Sequence, residues 1–109
     1  MRISLAITVF NEEANIRRLF ASILEQTRIP DEVTVCDGGS TDNTVAIMSE
    51  YSDQIPLTIL IRPGVNISAG RNVAIRESSG DIIAVTDAGV RLGTNWIELI
   101  TACFKQQNT

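Results

Sequence analysis

The sequence predicts an α/β fold in which a mostly parallel sheet of about four strands is covered by helices on both faces. Apolar runs typical of strands alternate with stretches of helical periodicity along the 109 residues. The strand runs are almost continuously apolar, which is typical of parallel strands that are buried on both faces. This length and an apolar content of 44% predict a single soluble domain, residues 1–109, with one core.

The first half of the chain predicts two strand–helix units. A strand over residues 3–9 is followed by a helix from residue 12 to about residue 26, for which Asn11 is the predicted N-cap. Apolar side chains recur within that helix at a spacing of three and four residues. A second strand, residues 32–36, leads through the capping-type residues 40–42 into a second helix.

The second half predicts two more units. A third strand covers residues 57–61 and ends in a Pro-Gly turn. Ser68 is the predicted N-cap of a helix over residues 69–78, and Gly80 follows it as a residue typical of helix C-termini. The fourth strand, residues 82–87, precedes a last helix.

Composition excludes several classes of function. A net charge of −4 without a basic cluster argues against nucleic-acid binding. The chain has no histidine, which excludes a Ser-His-Asp triad and a histidine-ligated zinc within it. Cys36 and Cys103 lie far apart in apolar stretches, so we expect two buried, reduced thiols in a cytoplasmic protein. Apolar runs are too short to span a membrane and no signal peptide opens the chain.

Polar loops follow three of the predicted strands. Residues 10–13 are Phe-Asn-Glu-Glu, residues 37–42 are Asp-Gly-Gly-Ser-Thr-Asp, and residues 87–89 are Asp-Ala-Gly. In an open parallel sheet the ligand lies outside the carboxyl ends of the strands. No G-x-G-x-x-G turn is present, so carboxylates there indicate contacts to ribose, base or metal, and not a dinucleotide cradle. The alternative is that these are ordinary turns and helix caps.

A fourth segment, residues 66–72, combines a predicted helix start with Arg71. Helix N-termini and guanidinium groups both favour anions, so this segment could meet a phosphate. The alternative is an arginine on a solvated helix face. Glu12 has a similar alternative as a first-turn acid that only stabilises its helix.

Taken in order, these motifs resemble the N-terminal half of the inverting family 2 glycosyltransferases, over essentially the whole chain. The resemblance implies a Rossmann-like three-layer sandwich of the GT-A type, truncated, that binds a nucleotide-diphosphate sugar, a UDP-sugar first. In that family the end of the first strand lines the nucleotide pocket, and the Asp of the second loop contacts the base or the ribose. The Arg lies near the diphosphate, and the first Asp of the D-x-D motif faces the ribose or the metal. These roles fall on Thr8, Val9, Phe10, Glu12, Asp37, Arg71 and Asp87.

The chain departs from the family pattern at two positions. Gly38 replaces the usual second Asp of its loop, and Gly89 replaces the last Asp of D-x-D. The resemblance implies Mg²⁺ or Mn²⁺ as cofactor, but Gly89 leaves Asp87 as a weak ligand that needs the diphosphate. It also implies a catalytic base beyond Thr109, so we expect this stretch alone to be inactive.

The expected partners are a nucleotide-sugar donor and a saccharide or lipid-linked acceptor, whose hydroxyl would receive the sugar with inversion. An apolar sheet edge would also favour a homo-oligomer, and membrane association of the full-length protein stays open. One alternative is a non-catalytic nucleotide-sugar-binding or regulatory module of the same fold. Another is an unrelated α/β protein, such as a dehydrogenase, against which the missing glycine motif argues.

Overall fold

The computed structural model describes residues 1–90 and 92–107. Within them the chain forms four strands and four helices in strict alternation. Each strand lies within one residue of its predicted bounds. The elements are β1 (Ile3–Val9), α1 (Ile16–Leu24), β2 (Glu32–Asp37), α2 (Thr44–Ser49), β3 (Leu57–Ile61), α3 (Ile67–Arg76), β4 (Ile82–Asp87) and α4 (Trp96–Gln107).

The four strands form one parallel sheet in the order β3-β2-β1-β4. The chain builds outwards from β1 through β2 to β3 and then returns to the other side of β1 for β4. The register aligns Thr8 with Cys36 of β2 and with Asp87 of β4. A crevice between β1 and β4 is therefore the switch point at which ligands bind in open α/β sheets. The predicted α/β fold is confirmed.

Helices cover both faces of the sheet, as predicted. On one face, the alternating side chains Leu5, Ile7, Val33 and Val35 belong to a core cluster with apolar residues of α1 and α2. Helix α4 lies on this face as well, since Ile97 packs against residues of β1 and β4. Helix α3 covers the opposite face, where the buried side chains are smaller: Ala6, Cys36 and Ala74.

Helix α1 begins at Ile16, four residues after the predicted start, and Asn11 is not its N-cap. Asn11 has a φ of 50°, which lies in the left-handed region and is incompatible with a helix start. The predicted apolar stripe is confirmed, because Ile16, Leu19, Phe20 and Ile23 are fully buried. The spacing of apolar residues predicts which side of α1 is buried, but the first residue of α1 depends on hydrogen bonds between residues 11–12 and the distant residues Ser40 and Thr44.

Two expectations for α3 are also corrected. Its N-cap is Asn66, whose side chain accepts a hydrogen bond from the Ala69 N–H at 2.8 Å, so Ser68 lies inside the helix. The helix ends with Glu77 as its C-cap, and Gly80 lies beyond it. Gly80 is required for a different reason: a Cβ there would lie 2.6 Å from the backbone nitrogen of Ser4, which is too close.

The two cysteines differ in exposure. Cys36 is buried, as expected, but Cys103 is exposed because the buried residues of α4 include Ile97 and Thr101, which lie on another side of the helix. No helix among the described residues is long and apolar enough to cross a membrane.

Candidate functional site

A cavity of about 810 Å³ opens at the carboxyl ends of β1, β2 and β4, beside the start of α3. Six of the seven predicted site residues line it, and Asp37 does not. The remaining lining residues come from β2, the β2–α2 loop, the β3–α3 loop, α3 and the β4–α4 loop. The full lining is Thr8, Val9, Phe10, Glu12, Cys36, Gly38, Val65, Asn66, Ile67, Ser68, Gly70, Arg71, Asp87, Ala88 and Gly89.

Strand alternation decides which side chains reach the cavity. Thr8, Cys36 and Asp87 are register partners in adjacent parallel strands, so they lie in one row on the α3 face of the sheet. Gly70 lets α3 approach this row closely, since a Cβ there would lie 3.2 Å from Thr8 Cγ2 and 3.6 Å from Cys36 Sγ. The contact fixes the distance between the helix start and the sheet.

The two ends of the cavity differ in charge. On the β2 side, the ring of Phe10 and the carbonyl oxygens of Val9 and Val65 lie around Gly38. Phe10 is 57% exposed, so its ring is accessible to a ligand in the cavity. On the β4 side, Arg71 and Asp87 provide opposite charges.

Arg71 and Asp87 form an ion pair with 3.5 Å between Arg71 Nη2 and Asp87 Oδ1. Both side chains are substantially exposed, so this pair contributes little to stability. Arg71 Nε is buried and has no hydrogen-bond partner among the described residues. A buried donor without a partner is costly. An anion in the cavity would instead meet the exposed part of the Arg71 guanidinium.

Asp37 is placed beneath its loop and away from the cavity. The residue is 1% exposed. Its Oδ2 accepts hydrogen bonds from the Gly39 and Ser40 N–H groups, each at 2.9 Å, and its Oδ1 accepts one from the Ser40 hydroxyl at 2.5 Å. The carboxylate is thus occupied by its own loop. The predicted direct contact with base or ribose finds no support in this placement.

The β1–α1 loop is joined to the β2–α2 loop by hydrogen bonds in both directions. The Asn11 N–H donates to Ser40 Oγ at 2.9 Å, and Asn11 Oδ1 accepts from the Thr41 N–H at 2.8 Å. The Glu12 N–H donates to Thr44 Oγ1 at 2.9 Å. These contacts hold the backbone on either side of the cavity-lining residues Phe10 and Glu12.

Glu13 and Asp42 extend the same connection. The Glu13 N–H donates to Asp42 Oδ2 at 3.2 Å, and the Asn43 N–H donates to Glu13 Oε1 at 2.8 Å. A hydrogen bond from the Thr44 hydroxyl is the main cause that lowers the pKa of Asp42, so the carboxylate stays charged in this network. Asp42, one of the capping-type residues before α2, therefore also links the two loops.

Sequence reasoning also missed part of the lining. Cys36 and Val65 reach the cavity without having been assigned to it, whereas Ile67 and Gly70 belong to the segment 66–72 that we expect to meet a phosphate. Ile67 is 66% exposed at the start of α3, a signal that only the structure reveals. Burial raises the pKa of the Cys36 thiol, which keeps it protonated and unreactive near neutral pH.

The charged end holds few ligands for a metal ion. Nowhere in residues 1–90 and 92–107 do three or more His, Cys, Asp or Glu side chains cluster as a metal site. Asp87 already faces Arg71, and Gly89 provides no side-chain oxygen. Mg²⁺ and Mn²⁺ favour several oxygen ligands. The residues present therefore fit such an ion only if a bound diphosphate completes the coordination.

The known proteins to which this chain is similar are glycosyltransferases. The family profile described as "Glycosyl transferase family 2" matches residues 4–109. Validoxylamine A glucosyltransferase of Streptomyces hygroscopicus subsp. limoneus is 29% identical over 104 residues, which are 92% of this chain and 23% of that protein. The resemblance drawn from the sequence motifs is confirmed.

Solved structures agree with the fold. S. aureus TarS in complex with UDP-GlcNAc superposes with a TM-score of 0.81 and 27% identity, covering 95% of this chain and 30% of that one. Mannosyltransferase PcManGT from Pyrobaculum calidifontis, in complex with GDP-Man and Mn²⁺, gives a TM-score of 0.79 and 27% identity, covering 94% and 31%. The chain thus spans less than a third of the length of each of these proteins.

Proposed function

The chain belongs to glycosyl transferase family 2, and from this premise we propose that its cavity binds the nucleoside-diphosphate sugar donor of a glycosyltransferase. A UDP-sugar is the first candidate, since S. aureus TarS is solved with UDP-GlcNAc. A GDP-sugar is the second, since PcManGT is solved with GDP-Man. The sugar would pass to an acceptor hydroxyl of a saccharide or lipid-linked molecule with inversion.

The observation that supports this proposal best is that the cavity has an exposed aromatic ring at one end and an arginine–aspartate pair at the other. A planar base suits the β2 side, where Phe10 offers an exposed ring and Val65 an apolar wall. A diphosphate suits the β4 side, where the partly exposed guanidinium of Arg71 lines the cavity. A nucleoside diphosphate carries both groups at opposite ends.

Arg71 has a defined role in the proposed reaction. In an inverting transfer a carboxylate base removes the proton from the acceptor hydroxyl, whose oxygen attacks the anomeric carbon while the nucleoside diphosphate leaves. Negative charge then grows on the diphosphate, and the Arg71 guanidinium would stabilise it. The base itself is expected outside these residues, so the chain would bind the donor better than it catalyses transfer.

A divalent metal would add to the same charge stabilisation. Asp87 would hold it together with diphosphate oxygens, which would require Asp87 to exchange its contact with Arg71 for one with the metal. Because Gly89 offers no carboxylate, we expect donor binding to depend only weakly on Mn²⁺. This weak dependence is also what favours the alternative of a non-catalytic binding module.

Asp37 enters the proposal as a positioning residue. Its carboxylate holds the Gly39 and Ser40 amides, and Ser40 in turn receives the Asn11 N–H. Through this chain of contacts Asp37 would fix the backbone next to Phe10 without touching the nucleotide.

Calorimetric titration tests the proposal. We expect UDP to bind more tightly than UMP, and Arg71→Gln to weaken UDP binding by about tenfold to a hundredfold, the range for lost hydrogen bonds to a charged group. Arg76→Gln is the matched control, because Arg76 is exposed on the same helix outside the cavity. If no nucleotide binds to the folded chain, or if both variants weaken UDP equally, donor binding at this cavity is excluded.

A further inference from the structure

Arg71 can meet a ligand only with the terminal nitrogens of its guanidinium. Its Nε is buried, whereas the side chain as a whole is 41% exposed and lines the cavity. One of the terminal nitrogens, Nη2, already faces Asp87 Oδ1 at 3.5 Å. An anion that enters the cavity and the carboxylate of Asp87 therefore compete for the same part of Arg71.

The sheet keeps Asp87 close to Arg71. Asp87 is the last residue of β4, aligns with Thr8 of β1 in a parallel pair, and accepts a hydrogen bond from the Val90 N–H at its carbonyl, at 3.3 Å. Its backbone is thus fixed by β1 and by the turn that follows. An anion can displace the carboxylate from Arg71 by rotating the side chain, but it cannot move the residue away from the site.

Carboxylates outnumber cations among the described residues that line the cavity. Glu12 and Asp87 contribute two negative charges and Arg71 one positive charge, which gives this lining a net charge of −1. Like charges repel, even where solvent screens part of the interaction. A diphosphate that enters without a cation therefore meets one attractive group and a carboxylate directly beside it.

We propose that Asp87 is an internal counter-ion of Arg71 that opposes the binding of a diphosphate while no metal ion is bound. This inference rests on the proposed donor binding and adds that one residue of the same site weakens it. The opposition has two parts. The diphosphate must share or break the contact between Arg71 and Asp87, and its own charge then lies near a carboxylate that has lost its partner.

The second part depends on the charge of the ligand. A terminal phosphate, such as that of free UDP, loses a second proton near neutral pH and gains negative charge. In a UDP-sugar that phosphate is esterified, so this additional charge is absent. Asp87 should therefore weaken the binding of UDP more than that of a UDP-sugar. In a transfer reaction this difference favours release of the spent nucleotide and entry of a new donor.

The test is calorimetric titration of UDP and of UDP-GlcNAc in the presence of EDTA. Asp87→Asn keeps the shape of the side chain and removes its charge. We expect it to tighten UDP binding by about threefold to tenfold, the effect of one exposed ion pair and one nearby like charge, and UDP-GlcNAc binding by less. Glu77→Gln is the matched control, because it makes the same change in net charge at an exposed residue outside the cavity.

A second substitution separates the hold on Arg71 from simple repulsion. In the Arg71→Gln background the carboxylate has no guanidinium to hold, so Asp87→Asn should tighten UDP binding by clearly less than it does beside Arg71. Saturation-transfer NMR measures these weaker affinities. Asp87→Asn alone should melt within a few degrees of the unmodified chain, because an exposed ion pair contributes little to stability.

The other outcomes overturn the inference. If Asp87→Asn leaves UDP binding unchanged or weakens it, Asp87 does not oppose the diphosphate, and the proposed donor binding survives. An equal gain in Glu77→Gln means that only net charge matters, and an equal gain in the Arg71→Gln background means that Asp87 does not act by holding Arg71. An equal gain for UDP-GlcNAc removes the dependence on ligand charge. If no nucleotide binds to the unmodified chain or to Asp87→Asn, the inference fails together with the proposed function.

Discussion

Removing the carboxylate of Asp37 should destabilise the chain by about 3 kcal/mol. Asp37→Ala leaves three donors without their acceptor: the N–H groups of Gly39 and Ser40 and the Ser40 hydroxyl. Each hydrogen bond to a charged group contributes about 1.5–3 kcal/mol net. Because Gly39 and Ser40 are only half-buried, water can replace part of these bonds, which reduces the sum to roughly the value of one or two of them.

Asp37→Asn is the matched variant that separates geometry from charge. The amide oxygen can still accept from the two backbone N–H groups, and the amide nitrogen can donate to Ser40 Oγ. The charge is lost and the Ser40 hydroxyl loses its acceptor, but the two backbone N–H groups keep theirs, so we expect a destabilisation of about 1 kcal/mol. The order unmodified, Asn, Ala therefore follows from the three contacts alone.

Urea unfolding followed by circular dichroism measures the free energy of unfolding of both variants. UDP titration of the folded samples measures their affinity for the nucleotide. A loss below about 1 kcal/mol for Asp37→Ala, outside the range for broken hydrogen bonds to a charge, would refute the idea that this carboxylate holds the loop. If Asp37→Asn keeps its stability but no longer binds UDP, the carboxylate contacts the nucleotide directly. The expected result is that Asp37→Asn retains UDP affinity within a few-fold.

Three further predictions concern acidity, the turn at Asn11 and metal binding. Hydrogen bonds lower the pKa values of Asp31 and Asp42; burial opposes this in Glu32, but hydrogen bonds and the charge of an arginine outweigh it and lower that pKa too. The stability that these carboxylates contribute is therefore present above their ordinary pKa values of 3.8 to 4.5 and is lost as the pH falls below them. Melting curves from pH 7 to pH 3 should show this loss, with little change between pH 5 and 8 because the chain has no histidine. Asn11→Gly should lower the free energy of unfolding by about 1–2 kcal/mol, because the side-chain hydrogen bonds of Asn11 are lost. Asn11→Ala should lower it by about 1 kcal/mol more, because alanine is strained in the left-handed conformation. Equal urea midpoints for the two variants would argue against this strain. Gly89→Asp should make UDP binding depend on Mn²⁺, whereas strong Mn²⁺ dependence in the unmodified chain would require an unidentified second ligand.

The strands were predictable to within one residue because their signal is local. Continuous β-branched and apolar runs bounded by polar loops leave little choice of register or length, and β1 and β3 match their predictions at both ends. Helix starts were not predictable in the same way. Asn11, Asn66 and Ser68 are all good N-cap residues by type. Asn11 is left-handed and bonded to the loop after β2, so it does not cap α1, and Asn66 caps α3 through the Ala69 N–H in place of Ser68.

The site was predictable as a location and less so as a set of contacts. Parallel strands bring their carboxyl ends to one edge, which is sufficient to collect Thr8 and Asp87. Asp37 differs because it aligns with Val9, one position further along, so it lies on the opposite face from Cys36 and Thr8. Side chains alternate between the two faces of a strand, so Cys36 reaches the cavity and its neighbour Asp37 bonds to the loop. Sequence motifs do not show which of two adjacent residues faces the cavity.

The wall that follows β4 is held by buried polar contacts with α1. The Ser22 hydroxyl accepts from the Leu92 N–H at 3.2 Å. Gln26 is 5% exposed, and its amide donates to the Gly93 carbonyl at 2.6 Å and accepts from the Ile97 N–H at 3.1 Å. These bonds fix the start of α4 and the backbone that leaves the cavity after Asp87.

Two of the segments that border the cavity are held by hydrogen bonds within the protein. The loop after β1 is held through Asn11 and Thr44, and residues 92–97 are held through Ser22 and Gln26. A ligand that enters a pre-formed cavity pays little entropy for ordering these segments, so more of its contact energy appears as affinity. The exposed groups, Phe10 and the Arg71–Asp87 pair, are then the parts left free to rearrange around a donor.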